Sequence, residues 1–133
     1  KLTVINDSKG TSFSSTINLL KSLKKVYWLA GGIPKSGDKF VVSKKYCKNF
    51  KAYIFGKNKN FFIKNFKNKI KYKTFPNLKA ALKKIRFDIE VEKNKFHNTI
   101  LFSPSAASFD SFKNFEDRGE KFNILFQKIY LKK

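Results

Sequence analysis

Val26-Tyr27-Trp28-Leu29-Ala30 is an unbroken apolar run closed by the pair Gly31-Gly32. A strand with one face in water alternates apolar and polar residues. A continuous run of this length fits a strand covered on both faces, as in a parallel sheet flanked by helices. Upstream, Phe13, Ile17, Leu20 and Leu23 recur at helical spacing, with Thr11 or Ser12 as the expected N-cap. Before them, Leu2-Thr3-Val4-Ile5 reads as a strand and Asp7 to Thr11 as a turn.

The same alternation continues downstream. A loop carrying Pro34 and Lys35 leads to an expected short helix near Phe40 to Tyr46, followed by a strand over Lys51 to Gly56. Phe61, Phe62 and Phe66 mark a helix face, and a brief strand is expected near Ile70 to Tyr72. The next helix starts at Pro76-Asn77 and turns Leu78, Ala81, Leu82 and Ile85 to one side. A polar crossing over Glu92 to Asn98 precedes the strand Thr99 to Phe102. The last helix is expected from about Arg118, burying Phe122, Leu125, Phe126 and Ile129. Strands and helices in this order imply βαβ units, hence an α/β fold with a mainly parallel sheet and helices on both faces. No internal repeat and no linker interrupt it, so residues 1–133 read as a single domain.

Composition narrows the function. At 133 residues, 41% of them hydrophobic, the chain is long enough for a core without disulfides. The one cysteine, Cys47, has no internal partner and reads as a buried small apolar residue. No run approaches the roughly 18 apolar residues of a membrane span, and no signal peptide is visible, which points to the cytoplasm and to no membrane partner. The chain starts at Lys1, has no Met and opens on a strand; we expect a domain of a longer protein. The formal charge of +21 raises a nucleic-acid reading. Yet all but two of the 30 basic residues are Lys, and Arg, the residue that forks onto phosphate and guanine edges, is limited to Arg86 and Arg118. Lysines scattered among abundant Asn, Phe and Ile read as compositional bias on a solvated face. No specific nucleic-acid partner is expected.

Ligands of open parallel sheets bind beyond the carboxyl ends of the strands. Three strand-to-helix junctions are chemically unusual there. Asn6-Asp7-Ser8-Lys9-Gly10-Thr11 puts a carboxylate, a lysine and a hydroxyl at a helix N-terminus, which suits an anion or an ordinary capping turn. Gly31-Gly32-Ile33-Pro34-Lys35 allows close approach to a strand end and presents Lys35 on a restricted path. Ser103 to Gly119 interleaves small residues, hydroxyls and rings. Ser108 could donate to a carboxylate and Phe115 could wall a pocket, or Phe112 and Phe115 could simply be core. His97 stands alone, no Cys/His cluster has metal-ligand spacing, and no Gly-x-x-x-x-Gly-Lys-Ser/Thr loop occurs. A complete nucleoside-triphosphate enzyme does not fit in this chain.

Taken together and in order, Asn6 to Thr11, Gly31-Gly32 with Lys35, and Ser103-Pro104 through Ala107-Ser108-Phe109-Asp110, Phe112-Lys113-Asn114-Phe115-Glu116 and Arg118-Gly119 resemble a known family. They look like the C-terminal domain of the D-glutamate-adding ligases of the Mur family (UDP-N-acetylmuramoyl-L-alanine:D-glutamate ligases, MurD). The resemblance covers essentially the whole chain. It implies a Rossmann-like three-layer domain that closes over a site shared with an N-terminal UDP-binding domain and a central ATPase domain. It also implies ATP- and magnesium-dependent amide formation in peptidoglycan synthesis, with UDP-N-acetylmuramoyl-L-alanine phosphorylated to an acyl phosphate that the amine of D-glutamate attacks. Both ATP and magnesium would be bound mainly by the central domain, and a monomer is expected.

Carried over by position, the resemblance implies that Asp7 holds the ATP ribose and that Lys9 faces the phosphates as catalytic cation. Thr11, Lys35, Ser108 and Phe115, with backbone near Phe109, would bind D-glutamate. A dicarboxylate needs cationic and hydroxyl partners, and phosphoryl transfer needs charge stabilisation and positioning. The chain departs from the family pattern at Gly10 and Ser12, where Ala and Asn are common, and at Ser105-Ala106, where Ala-Cys is usual. Pro34 before Lys35 and a loop one residue longer up to Phe40 are further departures. The domain alone is expected to be inactive. The other readings are a basic α/β module binding nucleic acid or another polyanion, and a sister Mur or folyl-polyglutamate ligase domain.

Overall fold

The computed structural model describes residues 2–93, 96–106 and 112–131. Strands β1 (Leu2–Asn6), β2 (Lys25–Gly31), β3 (Phe50–Phe55), β4 (Lys71–Phe75) and β5 (Asn98–Phe102) form one sheet in the order β1-β5-β2-β3-β4. All four neighbouring pairs are parallel. Helices α1 (Phe13–Lys21), α2 (Lys59–Phe66), α3 (Leu78–Glu92) and α4 (Phe115–Phe126) connect or follow them, and a π-turn over Gln127–Leu131 extends α4. This is the α/β arrangement with a parallel sheet and helices on both faces that the alternation implied, and the Rossmann-like three-layer domain that the resemblance implied.

Side-chain parity explains why the sheet is covered twice. Val26, Trp28 and Ala30 of β2 join Ala52 and Ile54 of β3 beneath α1 and α2. Tyr27 and Leu29 point the other way, with Tyr53, Ile100 and Phe102, beneath α3 and α4. The apolar run of β2 is continuous because both faces of the strand are buried; Val26 to Ala30 are fully inaccessible. On the first face Phe13 is the hub of an aromatic cluster, its ring 5.6 Å from Phe40, 5.7 Å from Phe66 and stacked at 5.7 Å on Phe61. Edge-to-face and offset pairs of this kind add to the area that the rings bury.

Crossover handedness places the layers. The chain runs β1 to β2 to β3 to β4 with α1 and α2 on one face, then returns to β5 with α3 on the other. Right-handed connections require that switch of face when the direction reverses. β5 therefore enters the gap between β1 and β2, pairing Asn6 with Phe102 on one side and Leu29 with Phe102 on the other.

Several local expectations shift. The short helix near Phe40 to Tyr46 shrinks to one 3₁₀ turn, Lys44–Tyr46. Phe40 is the reason: its ring is buried against Phe13 and Trp28, its N–H donates to Asn65 Oδ1 (2.9 Å) and its carbonyl accepts from Lys69 Nζ (2.6 Å). Backbone groups committed to side chains of α2 and its following turn do not form a helix. The fourth strand extends to Phe75 because it pairs with β3 from Lys51 to Phe55. The last helix starts at Phe115, three residues earlier than expected, because Asn114 Oδ1 accepts from Asp117 N–H (2.8 Å) and Asp117 Oδ2 accepts from Lys113 N–H (3.2 Å). Ser12 occupies the cap position of α1 but makes no side-chain cap bond. Cys47 is buried as read, and burial pushes its thiol up from its ordinary value.

The buried carboxylate of Asp88 sits under β2 and β3 on α3. It accepts from Tyr53 Oη (2.6 Å) and Lys51 Nζ (3.1 Å) and pairs with Lys84 Nζ (3.1 Å). Burial opposes ionisation, but the hydrogen bonds from Tyr53, Lys84 and Lys51 outweigh it and hold the carboxyl below its usual range. The same burial, reinforced by Asp88, pushes the Tyr53 phenol well up. A depressed carboxyl stabilises the fold above its unfolded value, near 3.9, and that contribution is lost as pH falls through the folded value. Asp88→Asn is expected to cost about 2 kcal/mol in urea unfolding at pH 7, and the gap from the parent chain should close below about pH 4. A gap independent of pH would disprove the charged role of Asp88.

Candidate functional site

The three junctions singled out in the sequence meet at the carboxyl ends of β1, β5 and β2. Connections leave β1 and β2 on one face and β5 on the other, so a crevice opens between them. Backbone bonds fasten the three loops together. Asp7 N–H donates to Phe102 O (2.7 Å), Ser105 N–H to Gly10 O (2.8 Å) and Gly31 N–H to Pro104 O (3.1 Å). Trp28 Nε1 donates to Ser103 O (2.7 Å), so the indole of the central strand also holds the start of the third loop.

Asp7 is half-buried at the end of β1, and its Oδ2 accepts from the hydroxyl of Ser103 (2.7 Å). Ser103 Oγ lies 2.5 Å from Thr16 Oγ1, which lies 2.6 Å from Ser105 Oγ. Thr16, Ser103 and Ser105 are fully buried. Ser105 holds φ at +62°, a left-handed conformation uncommon for a residue with a side chain and kept here by its bonds to Gly10 and Thr16. Gly10 is packed into the same cluster: a Cβ there would come within 2.7 Å of Ser103 Oγ and 2.8 Å of Asp7 Oδ2. The departure from the common Ala thus lets the first loop lie closer to the third than a methyl would permit.

Arg118 joins the first and third loops from α4. Fully buried, it donates from Nη1 to Ala106 O and from Nη2 to Ser8 O, both at 2.7 Å. Gly119 follows because a Cβ there would meet Ser8 Oγ at 2.3 Å. Asn6 Nδ2 closes the seam onto Gly119 O (2.9 Å). The other arginine, Arg86, donates to Ile129 O and pairs with Glu90. Both arginines of this lysine-rich chain thus donate to the protein's own carbonyls.

Lys9 and Thr11 are exposed in the first loop, and Lys35 is exposed in the second. Asp38 links them: its Oδ2 accepts from Phe13 N–H (2.9 Å) and its N–H donates to Lys35 O (3.0 Å). The N-terminus of α1 is thereby capped by a residue 25 positions away, and the loop bearing Lys35 is held beside the one bearing Thr11. Asp38 was missed in the sequence, although with only nine Asp and Glu in the chain any loop carboxylate was a signal. Gly32, at φ +129°, accepts from Asn58 Nδ2 (3.1 Å), which fixes the turn out of β2.

Phe115 begins α4 and is 37% exposed, so it is free to line a pocket, whereas Phe112 packs on the second core. Ser108 and Phe109 lie outside the described residues. Among the described residues no group of three or more His, Cys, Asp or Glu converges as a metal site. His97 is exposed, and its Nε2 is 2.5 Å from Thr3 Oγ1. An apolar cavity of about 440 Å³ adjoins the junctions between Phe55, Leu78 and Phe112. The larger groove, about 1010 Å³ beside Leu20, Val42 and Phe50, is at the amino ends of the strands, away from the three loops.

No protein-family model matches the chain. It is 41% identical over 117 residues to the UDP-N-acetylmuramoylalanine–D-glutamate ligase of Rickettsia felis, covering 88% of this chain and 26% of the relative. It is 38% identical over 125 residues to the ligase of that name from Wolbachia sp. subsp. Brugia malayi, covering 94% and 25%. A third ligase of that name, from Nitrobacter winogradskyi, is 36% identical over 125 residues, covering 94% and 27%. The chain spans about a quarter of the length of the curated relatives it matches. Similarity of this extent, on a fold with the three loops assembled as described, shows that the chain belongs to the family of UDP-N-acetylmuramoylalanine–D-glutamate ligases.

Proposed function

We propose that this chain is the C-terminal domain of an ADP-forming ligase that adds D-glutamate to UDP-N-acetylmuramoyl-L-alanine in peptidoglycan synthesis. The observation that carries the reading is the match of nine-tenths of the chain to ligases of that name. The clustering of the first, second and third loops at one end of the sheet supports it.

ATP with magnesium would supply the phosphoryl group that turns the substrate carboxylate into an acyl phosphate. Magnesium and most of the triphosphate are assigned to the central domain of the full-length protein. The residues present suit the remainder. Asp7, with Oδ2 engaged by Ser103, would accept a ribose hydroxyl at Oδ1. Lys9, exposed in the same loop, would stabilise negative charge on the transferring group without forming a bond to it. Thr11 and Lys35, coupled through Asp38, would take one carboxylate of D-glutamate, and Ser108 with backbone at Phe109 the other. Phe115 would wall the amino acid so that its amine is held against the acyl carbon, an effect of orientation.

The domain alone should be inactive and the full-length protein should act as a monomer in the cytoplasm. The decisive assay is ATP-dependent addition of D- versus L-glutamate to UDP-N-acetylmuramoyl-L-alanine by the full-length protein. Turnover with D-glutamate is expected; a folded protein that adds only another amino acid would point to the sister ligases instead. Lys35→Ala should raise the KM for D-glutamate at least tenfold, as loss of a charged hydrogen bond to substrate does. Replacing the exposed Lys67 should leave it unchanged; equal effects at the two positions would remove Lys35 from the site.

A further inference from the structure

The proton count of three buried hydroxyls behind Asp7, taken with their distances, orders them in one direction. Ser103 has a single hydroxyl proton, and it goes to Asp7 Oδ2, the carboxylate being acceptor only (2.7 Å). Ser103 Oγ must then accept from Thr16 Oγ1 (2.5 Å). Thr16, its proton spent, must accept from Ser105 Oγ (2.6 Å), a shorter contact than the alternative from Ser105 to Ser103 O (3.2 Å). All three protons therefore point along one chain that ends on the carboxylate. Such chains polarise each member toward the charged end.

The backbone holding this chain is itself constrained. Trp28 Nε1 pins Ser103 O, Gly10 O pins the left-handed Ser105, and Gly10 leaves space that a Cβ would take from the Ser103–Asp7 bond. Thr16 comes from α1, which starts from the first loop, and Ser103 and Ser105 from the third. The relay thus couples two loops through the rotamer of Asp7. We propose that Ser103, Thr16 and Ser105 are positioning residues: a directed hydroxyl relay that locks the Asp7 carboxylate with Oδ1 turned toward nucleotide. This rests on the assignment of Asp7 to the ATP ribose.

The test uses the full-length protein and compares ATP with its 2′-deoxy and 3′-deoxy analogues. Ser103→Ala should raise the KM for ATP roughly tenfold, the effect of a lost charged hydrogen bond. The KM for D-glutamate should stay within about twofold. Discrimination between ATP and the deoxy analogue that the parent rejects should fall in step. Thr16→Val, which keeps shape and cuts the chain one link back, should act in the same direction, and Thr16→Ser should restore parent values. In an Asp7→Asn background Ser103→Ala should add less than about twofold, because it acts through the group already altered. Thermal unfolding of each variant separates these effects from loss of fold; if Ser103→Ala does not fold, the Thr16 pair carries the test. Multiplicative effects of Asp7→Asn and Ser103→Ala, or equal shifts in both KM values, overturn the relay alone. An Asp7→Asn protein with parent KM and parent discrimination overturns the ribose assignment and the relay together.

Discussion

The placement of β5 between β1 and β2 is the constraint on which the site depends. A chain that added strands in sequence order would leave the loop after β1 far from the loop after the last strand. Because the return crossover must use the opposite face, β5 closes the gap, and its carboxyl end lies between the ends of the two strands whose loops carry Asp7 and Lys35. Hydrogen bonds at Phe102, Gly10 and Pro104 then convert adjacency into a fixed geometry.

Charge has two distinct roles in this protein. Lysine is so frequent that its position says little, and most copies are on exposed surface. Carboxylates and guanidinium groups are scarce, and most of those in the described residues hold a structural partner. Asp88 anchors α3 beneath the sheet, Asp38 caps α1 from another loop, and Asp7 receives the hydroxyl chain. Arg118 bridges the first and third loops, and its bond to Ser8 spans 110 residues of sequence. A buried arginine that satisfies two separate carbonyls with the fixed planar donors of its guanidinium is not matched by a lysine, whose single ammonium lacks that fork.

Much of the fold was legible because the patterns are local. The run Val26 to Ala30, the spacing of Phe13, Ile17 and Leu20, and the start at Pro76-Asn77 all became the elements they implied, with Asn77 accepting from Ala80 N–H (2.9 Å). Where the structure departs from the local pattern, a distant partner intervenes. Phe40 to Tyr46 is not a helix because Asn65 and Lys69 occupy the backbone of Phe40, and Ser12 does not cap because Asp38 does. The earlier start of α4 has a local cause, since Asn114 and Asp117 have capping spacing.

The amino-acid sequence by itself determined the layers, the order of elements and the loops in which chemistry is concentrated, because periodicity and turn residues act within a few positions along the chain. It also carried the resemblance to the family, through the motifs of the three loops in their order along the chain. Only the tertiary structure decided which of those residues face one another. The pairing of Ser103 with Asp7, Thr16 with Ser105, Asp38 with Phe13 and Arg118 with Ser8 spans 25 to 110 residues, and no local rule specifies it. Those contacts exist because a single crossover brings three strand ends together, and buried polar groups there must find partners in whatever loops arrive.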